Sequence, residues 1–316
     1  MLIIKIWTID IITENQESTS QALPHRAILI ATLWAACATC LFAFMWVLPK
    51  FVGQSVPAVQ VACLRYAAGA VCIAPFFVAE IVRNVPAQPV EPQKGRLFLL
   101  HLARAACGVT SLAFGTYAVT RIPLANVQAI AMTNGVFTVL FAFIFLRERA
   151  GWRELLAGAI ALCGALIVAG PGTQEAAGWA LAGVLAAFAQ AITWGGEVVL
   201  LRATAARESA SRILFKVNAM AALMVFLVGV WFWESLTLDA FLLIAAMGPI
   251  AIIGQLCNIR AFRVADATTL VPVRYSGIIF AAIFGLLLFD EWPASSAIVG
   301  AAMIVGGAMW LALRKS

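Results

Sequence analysis

Arg65, Arg104, Glu197, Lys216 and Arg274 stand inside long apolar runs of this 316-residue chain. A charge facing hydrocarbon at mid-depth costs about 2.5–3.5 kcal/mol or more, so such side chains turn toward a bundle interior or a wet cavity. Arg104 and Arg274 each lie about seven residues into a run, roughly 10 Å deep at 1.5 Å per residue. They therefore share a level, and Arg65 reaches a similar depth from the opposite end of its run. Two guanidiniums at one level, with Tyr275 beside Arg274, suit a carboxylate or phosphate, because forked donors grip two oxygens at once. A structural reading stays open, in which each arginine pairs with backbone carbonyls or helix ends and fixes packing.

Further polar residues recur at helical spacing. His101 shares a face with Arg104, continuing through Gly108, Ser111 and Gly115, a small and polar stripe of the kind that walls a cavity. Asn126 and Thr133, Gln190 and Trp194, and Gln255 and Asn258 form three more one-face pairs. They read either as substrate contacts or as interhelical hydrogen bonds, worth on average about 0.6 kcal/mol each. Trp194 offers a face for a flat ring, or else fills a gap between helices. Glu197 and His101 are the candidates to carry a coupling proton; an ion pair with Lys216 is the structural alternative for Glu197, and a satisfied buried donor is that for His101. The chain contains neither G-x-x-x-x-G-K-[ST] nor H-E-x-x-H, so it offers no nucleotide-hydrolysing loop and no zinc-protease motif. Its seven cysteines show no metal spacing beyond Cys37 and Cys40 on one apolar helix. No catalytic residue, cofactor or metal is expected.

The elements that must position these residues follow from composition. The chain is 63% hydrophobic and 11% charged, against roughly 45–50% and 25% for soluble domains. Ten apolar runs approach or exceed the roughly 20 residues that span a bilayer core: 27–48, 57–82, 97–119, 124–146, 154–169, 179–201, 213–233, 241–264, 268–289 and 294–313. Each is expected to be helical, since backbone groups in lipid must be satisfied within the segment. Pro75, Pro249 and Pro272 predict local kinks. Residues 1–26 are too short and too charged to span and read as a cytoplasmic tail.

Alternating the runs across a membrane places fifteen lysines and arginines on the side of both termini and two, Lys50 and Arg121, on the other. The positive-inside rule then puts both termini in the cytoplasm. Acidic loops "WESLTLDA" and "FDEWP" face out, and Trp46, Trp152, Trp179, Trp231, Trp233, Trp292 and Trp310 fall near span ends. Trp34 and Trp194 lie deeper, as interior-facing residues would. The net charge of +6 is scattered over short loops and gives no sign of a nucleic-acid partner.

Offsetting the chain against itself by 143 residues sets Glu148 on Glu291, Phe137 on Phe280, Phe141 on Phe284 and Gly164 on Gly307; an offset of 151 sets Arg65 on Lys216. With five spans per half, the second half enters from the opposite side, an inverted repeat of 27–170 and 171–316 of the kind that builds mirrored gates around a midplane site. Glu148 and Glu291 read as capping or pairing groups at helix ends. The segments "LRER", "GALIVAGPG", "PVRY" to "LLLFDEWP" and "VGAAMIVGGAMW" together resemble the drug/metabolite transporter superfamily, in its ten-helix EamA-like branch. "LHLARAACG" and "RIPLANVQAI" look most like a bacterial subgroup that includes S-adenosylmethionine and riboflavin transporters. One departure is Gly135, where many members carry proline.

The resemblance implies an all-α integral membrane protein of ten transmembrane helices in a 5+5 inverted repeat. It also implies a secondary transporter in the inner membrane that moves a small organic metabolite by alternating access. The arginines and the subgroup point to an anionic or zwitterionic cargo, amino-acid-derived or nucleoside-like. A membrane-embedded enzyme or a helical scaffold subunit is the alternative, the first lacking a nucleophile or metal cluster and the second at odds with interior charge. Gly158, Gly164, Gly300 and Gly307 allow close helix approach, including at a possible homodimer seam.

Overall fold

A computed structural model describes residues 25–53, 56–83, 94–146, 152–168, 177–205, 208–264 and 267–313. All regular structure among them is helical: α1 (His25–Met45), α2 (Val47–Val52), α3 (Ala58–Val82), α4 (Lys94–Val119), α5 (Leu124–Ala131), α6 (Asn134–Leu146), α7 (Trp152–Val168), α8 (Ala177–Ala205), α9 (Ala210–Gly229), α10 (Leu238–Val264), α11 (Ala267–Phe289) and α12 (Ser295–Leu313), with one 3₁₀ turn at Val230–Phe232. Seven stretches are long and apolar enough to cross a bilayer, and Leu156–Val168, Val273–Phe289 and Ser295–Gly307 are shorter apolar helices. Each expected run thus meets a helix. The tail expected at 1–26 lies, up to residue 24, outside the described residues, as does Glu148.

Two spans are interrupted. Helices α3, α10 and α11 continue through Pro75, Pro249 and Pro272. The first span breaks at Trp46 instead, because Pro49 has no N–H for the Met45 carbonyl and its ring crowds that carbonyl. The fourth breaks at Met132–Thr133. There the Thr133 hydroxyl donates to the Ile130 carbonyl at 2.7 Å and the Thr133 N–H to the same oxygen at 3.0 Å, tightening the chain into short-range bonds that compete with the α-ladder. The break thus stands at Thr133, two residues before Gly135.

The outer surface carries the large aliphatic residues: Leu33, Val71, Leu99, Leu223 and Leu287 are all exposed, as a lipid-facing surface requires. Trp231 and Trp292 project at span ends, suited to the headgroup layer. Trp46 departs from that expectation: it packs inward at the α1–α2 junction, its ring lying over Gly115.

Helices pack mainly against the opposite half of the chain. α4 lies along α8 as α10 lies along α1; α3 touches α10 as α9 touches α4; α11 packs on α1 as α6 packs on α8; and α3 with α9, α7 with α12, and α5 with α11 pair across the axis. The list maps onto itself when the halves are exchanged, which is the pseudo-twofold relation of an inverted repeat. Glycines permit the tightest crossings. A Cβ on Gly164 would sit 2.6 Å from the Gly300 carbonyl oxygen, and one on Gly248 would sit 2.5 Å from the Gly69 nitrogen. Gly158 meets Val136, and Gly307 meets Ile160. The glycines considered for a dimer seam are thus spent on contacts within the chain.

Gly164→Leu should lower the thermal unfolding midpoint in detergent by the equivalent of about 1–3 kcal/mol, the usual cost of overpacking. Gly306→Ala, where an added Cβ meets nothing within 4 Å, should leave it unchanged or raise it slightly. Equal behaviour of the two variants would refute the close crossing of α7 and α12.

Candidate functional site

The α4 stripe lies against α8 and α3. Arg104 is almost wholly buried, and its Nη2 faces Glu197 Oε1 of α8 at 3.6 Å, beyond an ordinary hydrogen bond. Its Nε and Nη1 have no hydrogen-bond partner. One turn on, Gly108 leaves space for the Tyr66 hydroxyl and the Glu197 carboxylate, which an added Cβ would meet at 2.7 and 3.5 Å. Arg65, buried on α3, stacks over the Tyr66 ring at 4.2 Å and donates from Nη1 to Asn218 Oδ1 of α9 at 3.2 Å. Its Nε is also without a hydrogen-bond partner. Arg65, Tyr66, Arg104 and Glu197 lie within electrostatic reach of one another. The cluster holds two buried guanidiniums and one partly exposed carboxylate, a formal excess of one positive charge.

Several expectations change here. Glu197 pairs with Arg104 rather than with Lys216. Lys216 instead donates to Glu208, in the short link between α8 and α9, and the other Glu208 oxygen meets His101 Nε2 at 2.8 Å. Lys216 was placed at the depth of Glu197; the carboxylate eight residues earlier in its own segment reaches it first. His101 is therefore tied to a buried carboxylate, the structural role weighed for it. The stripe beyond Gly108 is closed, too. Ser111 donates to the Gln190 carbonyl at 3.4 Å, and Gly115 takes Trp46 and the Gln190 amide. In this conformation it is a helix-packing seam rather than an open wall.

Arg274 and Tyr275 occupy a separate place. Both are half-buried on α11, which packs chiefly on α1, α5 and α12, whereas Arg104 lies on α4 against α8. Tyr275 lines a cavity of about 280 Å³ between α11 and α12, together with Ser276, Ile279 and Val305. Asn126 presents a buried Oδ1 without a hydrogen-bond partner at the start of α5, while Thr133 is spent on the α5–α6 break. Trp194 packs on the core of α5, α7 and α8, and Gln255 and Asn258 are half-buried on α10.

Tyr66, Asn218 and Gln190 were missed or undervalued. Tyr66 and Asn218 stand one and two residues from charges already singled out, and that proximity was the available signal. The described residues hold no group of three or more histidine, cysteine, aspartate or glutamate side chains able to bind a metal ion.

Removing the carboxylate while leaving the guanidinium buried costs about 3–5 kcal/mol, whereas replacing both charges with apolar groups is often neutral or stabilising. Glu197→Ala should therefore depress the detergent unfolding midpoint strongly, and Arg104→Leu/Glu197→Leu should recover most of the loss. A double variant no better than the single one would refute the pairing.

Comparison with known proteins agrees with this architecture. The EamA-like transporter family matches the chain twice, over residues 29–170 and 181–313. A pseudopaline exporter of Pseudomonas aeruginosa is 29% identical over 90% of this chain and 96% of its own length. A riboflavin transporter of Brucella anthropi is 24% identical over 92% and 95%, and an S-adenosylmethionine uptake transporter of Rickettsia bellii 23% identical over 84% and 87%. A solved crystal structure superposes with a TM-score of 0.59 at 20% identity, covering 92% of this chain and 99% of its own, which supports the fold alone.

Proposed function

We propose that this chain, which belongs to the EamA-like transporter family, is a secondary carrier of an anionic or zwitterionic organic metabolite. It is a multi-pass membrane protein that moves a small molecule and does no covalent chemistry. The halves 27–170 and 171–316 rock about the Arg104 cluster, exposing it first to one side and then to the other, with both termini in the cytoplasm of a cell bounded by its inner membrane. Cargo is amino-acid-derived or nucleoside-like, in keeping with relatives named for S-adenosylmethionine and riboflavin. The relatives include both an exporter and an uptake transporter, so direction is not carried over from them.

One observation carries the reading: a buried guanidinium whose Nε and Nη1 make no hydrogen bond, in a cluster with surplus positive charge. Unspent buried donors are costly, and because Nε and Nη1 point from different edges of the guanidinium, separate oxygens of an anionic cargo would satisfy them. Glu197 then receives a cationic group of the cargo or the coupling proton, with His101 the second proton candidate. Arg65 tunes the cluster, and Arg274, Tyr275, Asn126, Gln255 and Asn258 are the candidates for further walls along the path.

Counterflow in proteoliposomes with a panel of labelled metabolites, with and without a pH gradient, tests this. Arg104→Ala should cut the initial rate for the responding metabolite about 10- to 100-fold, the worth of a hydrogen bond to a charged group. Arg104→Lys should restore only part, since one ammonium cannot hold Glu197 and also place donors where Nε and Nη1 stand. Unchanged rates in well-folded Arg104→Ala protein would remove Arg104 from the site.

A further inference from the structure

At the outer end of the bundle, three segments from both halves meet on one carboxylate. Glu291, in the turn between α11 and α12, accepts from Lys50 of α2 on Oε1 and from the Leu124 N–H, the first residue of α5, at 3.0 Å on Oε2. Helix α5 follows Pro123 and has no side-chain cap of its own. A helix start leaves N–H groups unsatisfied and carries partial positive charge, so Glu291 serves α5 as an N-cap borrowed from the other half of the chain.

The turn is shaped to deliver it. Asp290 adopts φ 53°, its N–H bonds the Leu286 carbonyl at 3.2 Å, and the Glu291 N–H bonds the Gly285 carbonyl at 3.0 Å. This left-handed C-cap folds the chain back over α11. A Cβ on Gly285 would sit 3.2 Å from Glu291 Oε2, so the glycine leaves the carboxylate room to lie along the helix. Aromatic contacts close the layer around it: Phe51 meets Phe289 at 4.9 Å between ring centroids, and Phe44 meets Phe284 at 5.6 Å.

Toward the other end the packing differs. α11 packs on α5, the outer half of the fourth span, but makes no comparable packing with α6, its inner half, among the described residues. The fourth span thus parts from the ninth below the break at Met132–Thr133. At that end Glu80 with Arg212 and His101 with Glu208 still join other helices of the two halves, so the divergence is confined to the fourth and ninth spans.

We propose that Glu291, Lys50 and the start of α5 form the outer gate, a clasp that must release for the central site to face outward. This rests on the carrier reading. The clasp has two parts: an ion pair, which either order of charges could supply, and a helix cap, which only an acceptor at position 291 supplies. Reversing the charges restores the first while setting an ammonium against the positive end of α5.

Spin labels on a cysteine-free background at Trp292→Cys, in the gate turn, and Leu181→Cys, on the α8 side, report the gap by pulsed electron–electron double resonance. Both sites are exposed, and no cargo is needed. The unaltered clasp should give one main short distance. Glu291→Ala should move at least about a third of the population to a longer one, and Lys50→Met, the variant to use if Glu291→Ala does not fold, should move a smaller share. Lys50→Glu/Glu291→Lys should stay at least as open as Glu291→Ala. An unchanged distribution in monodisperse Glu291→Ala or Lys50→Met protein would overturn the gate, and full closure in the reversed pair would overturn the cap. Either failure leaves the counterflow result standing, because this measurement reads the outer gap and not transport.

Discussion

Charge buried among apolar helices must find its opposite, and in this protein four of the five ion pairs among the described residues join the two halves of the chain, Lys216 with Glu208 being the fifth. Arg104 meets Glu197, His101 meets Glu208, Glu80 meets Arg212, and Lys50 meets Glu291; Arg65 binds Asn218 in the same manner. In each case one partner lies before residue 171 and the other after it. The desolvation cost of an unpaired ion therefore acts as a tie between halves, and the tie is oriented: a pair forms only when the second half runs antiparallel to the first. The glycine crossings of α3 with α10 and α7 with α12 then bring backbones close enough for van der Waals packing to hold what the ions select.

The ties fall at three levels. Lys50 and Glu291 work at one end, Arg104 and Glu197 inside, and Glu80 with Arg212 and His101 with Glu208 toward the other end. The end levels draw on further structural chemistry, with Ser209 and Ser211 donating to Glu80 and Glu291 capping α5. In the middle, two guanidinium nitrogens of Arg104 are left without a hydrogen-bond partner.

Much of this was legible before any coordinates. Spans emerge from composition because the bilayer imposes a length and a helical backbone, whatever the side chains. The duplication is readable from Glu148 and Glu291 and from the matched phenylalanines, and the end role read for Glu291 is met by its bonds to Lys50 and Leu124. Pairing was less legible. Sequence depth ranks residues along one axis only, so Lys216 and Glu197 were matched by height, while rotation about each helix gave Lys216 to Glu208 and Glu197 to Arg104. Arg104 and Arg274 likewise share a level in the sequence but stand on helices that pack chiefly on different partners. The breaks at Trp46 and at Met132–Thr133 had no expectation in the sequence, since a threonine hydroxyl or a carbonyl crowded by Pro49 leaves no mark in the apolar pattern.

The interleaved packing bears on how the chain is made. Helices α3 and α4 have their best partners in α8, α9 and α10, so the first half, once threaded into the bilayer by the ribosome and its insertion machinery, holds Arg65 and Arg104 without counterparts. Those counterparts arrive only when Glu197 and Asn218 have been synthesised. For that interval the nascent protein is a half-built object that lipid headgroups and water must tolerate, and assembly completes in one late step near the end of translation.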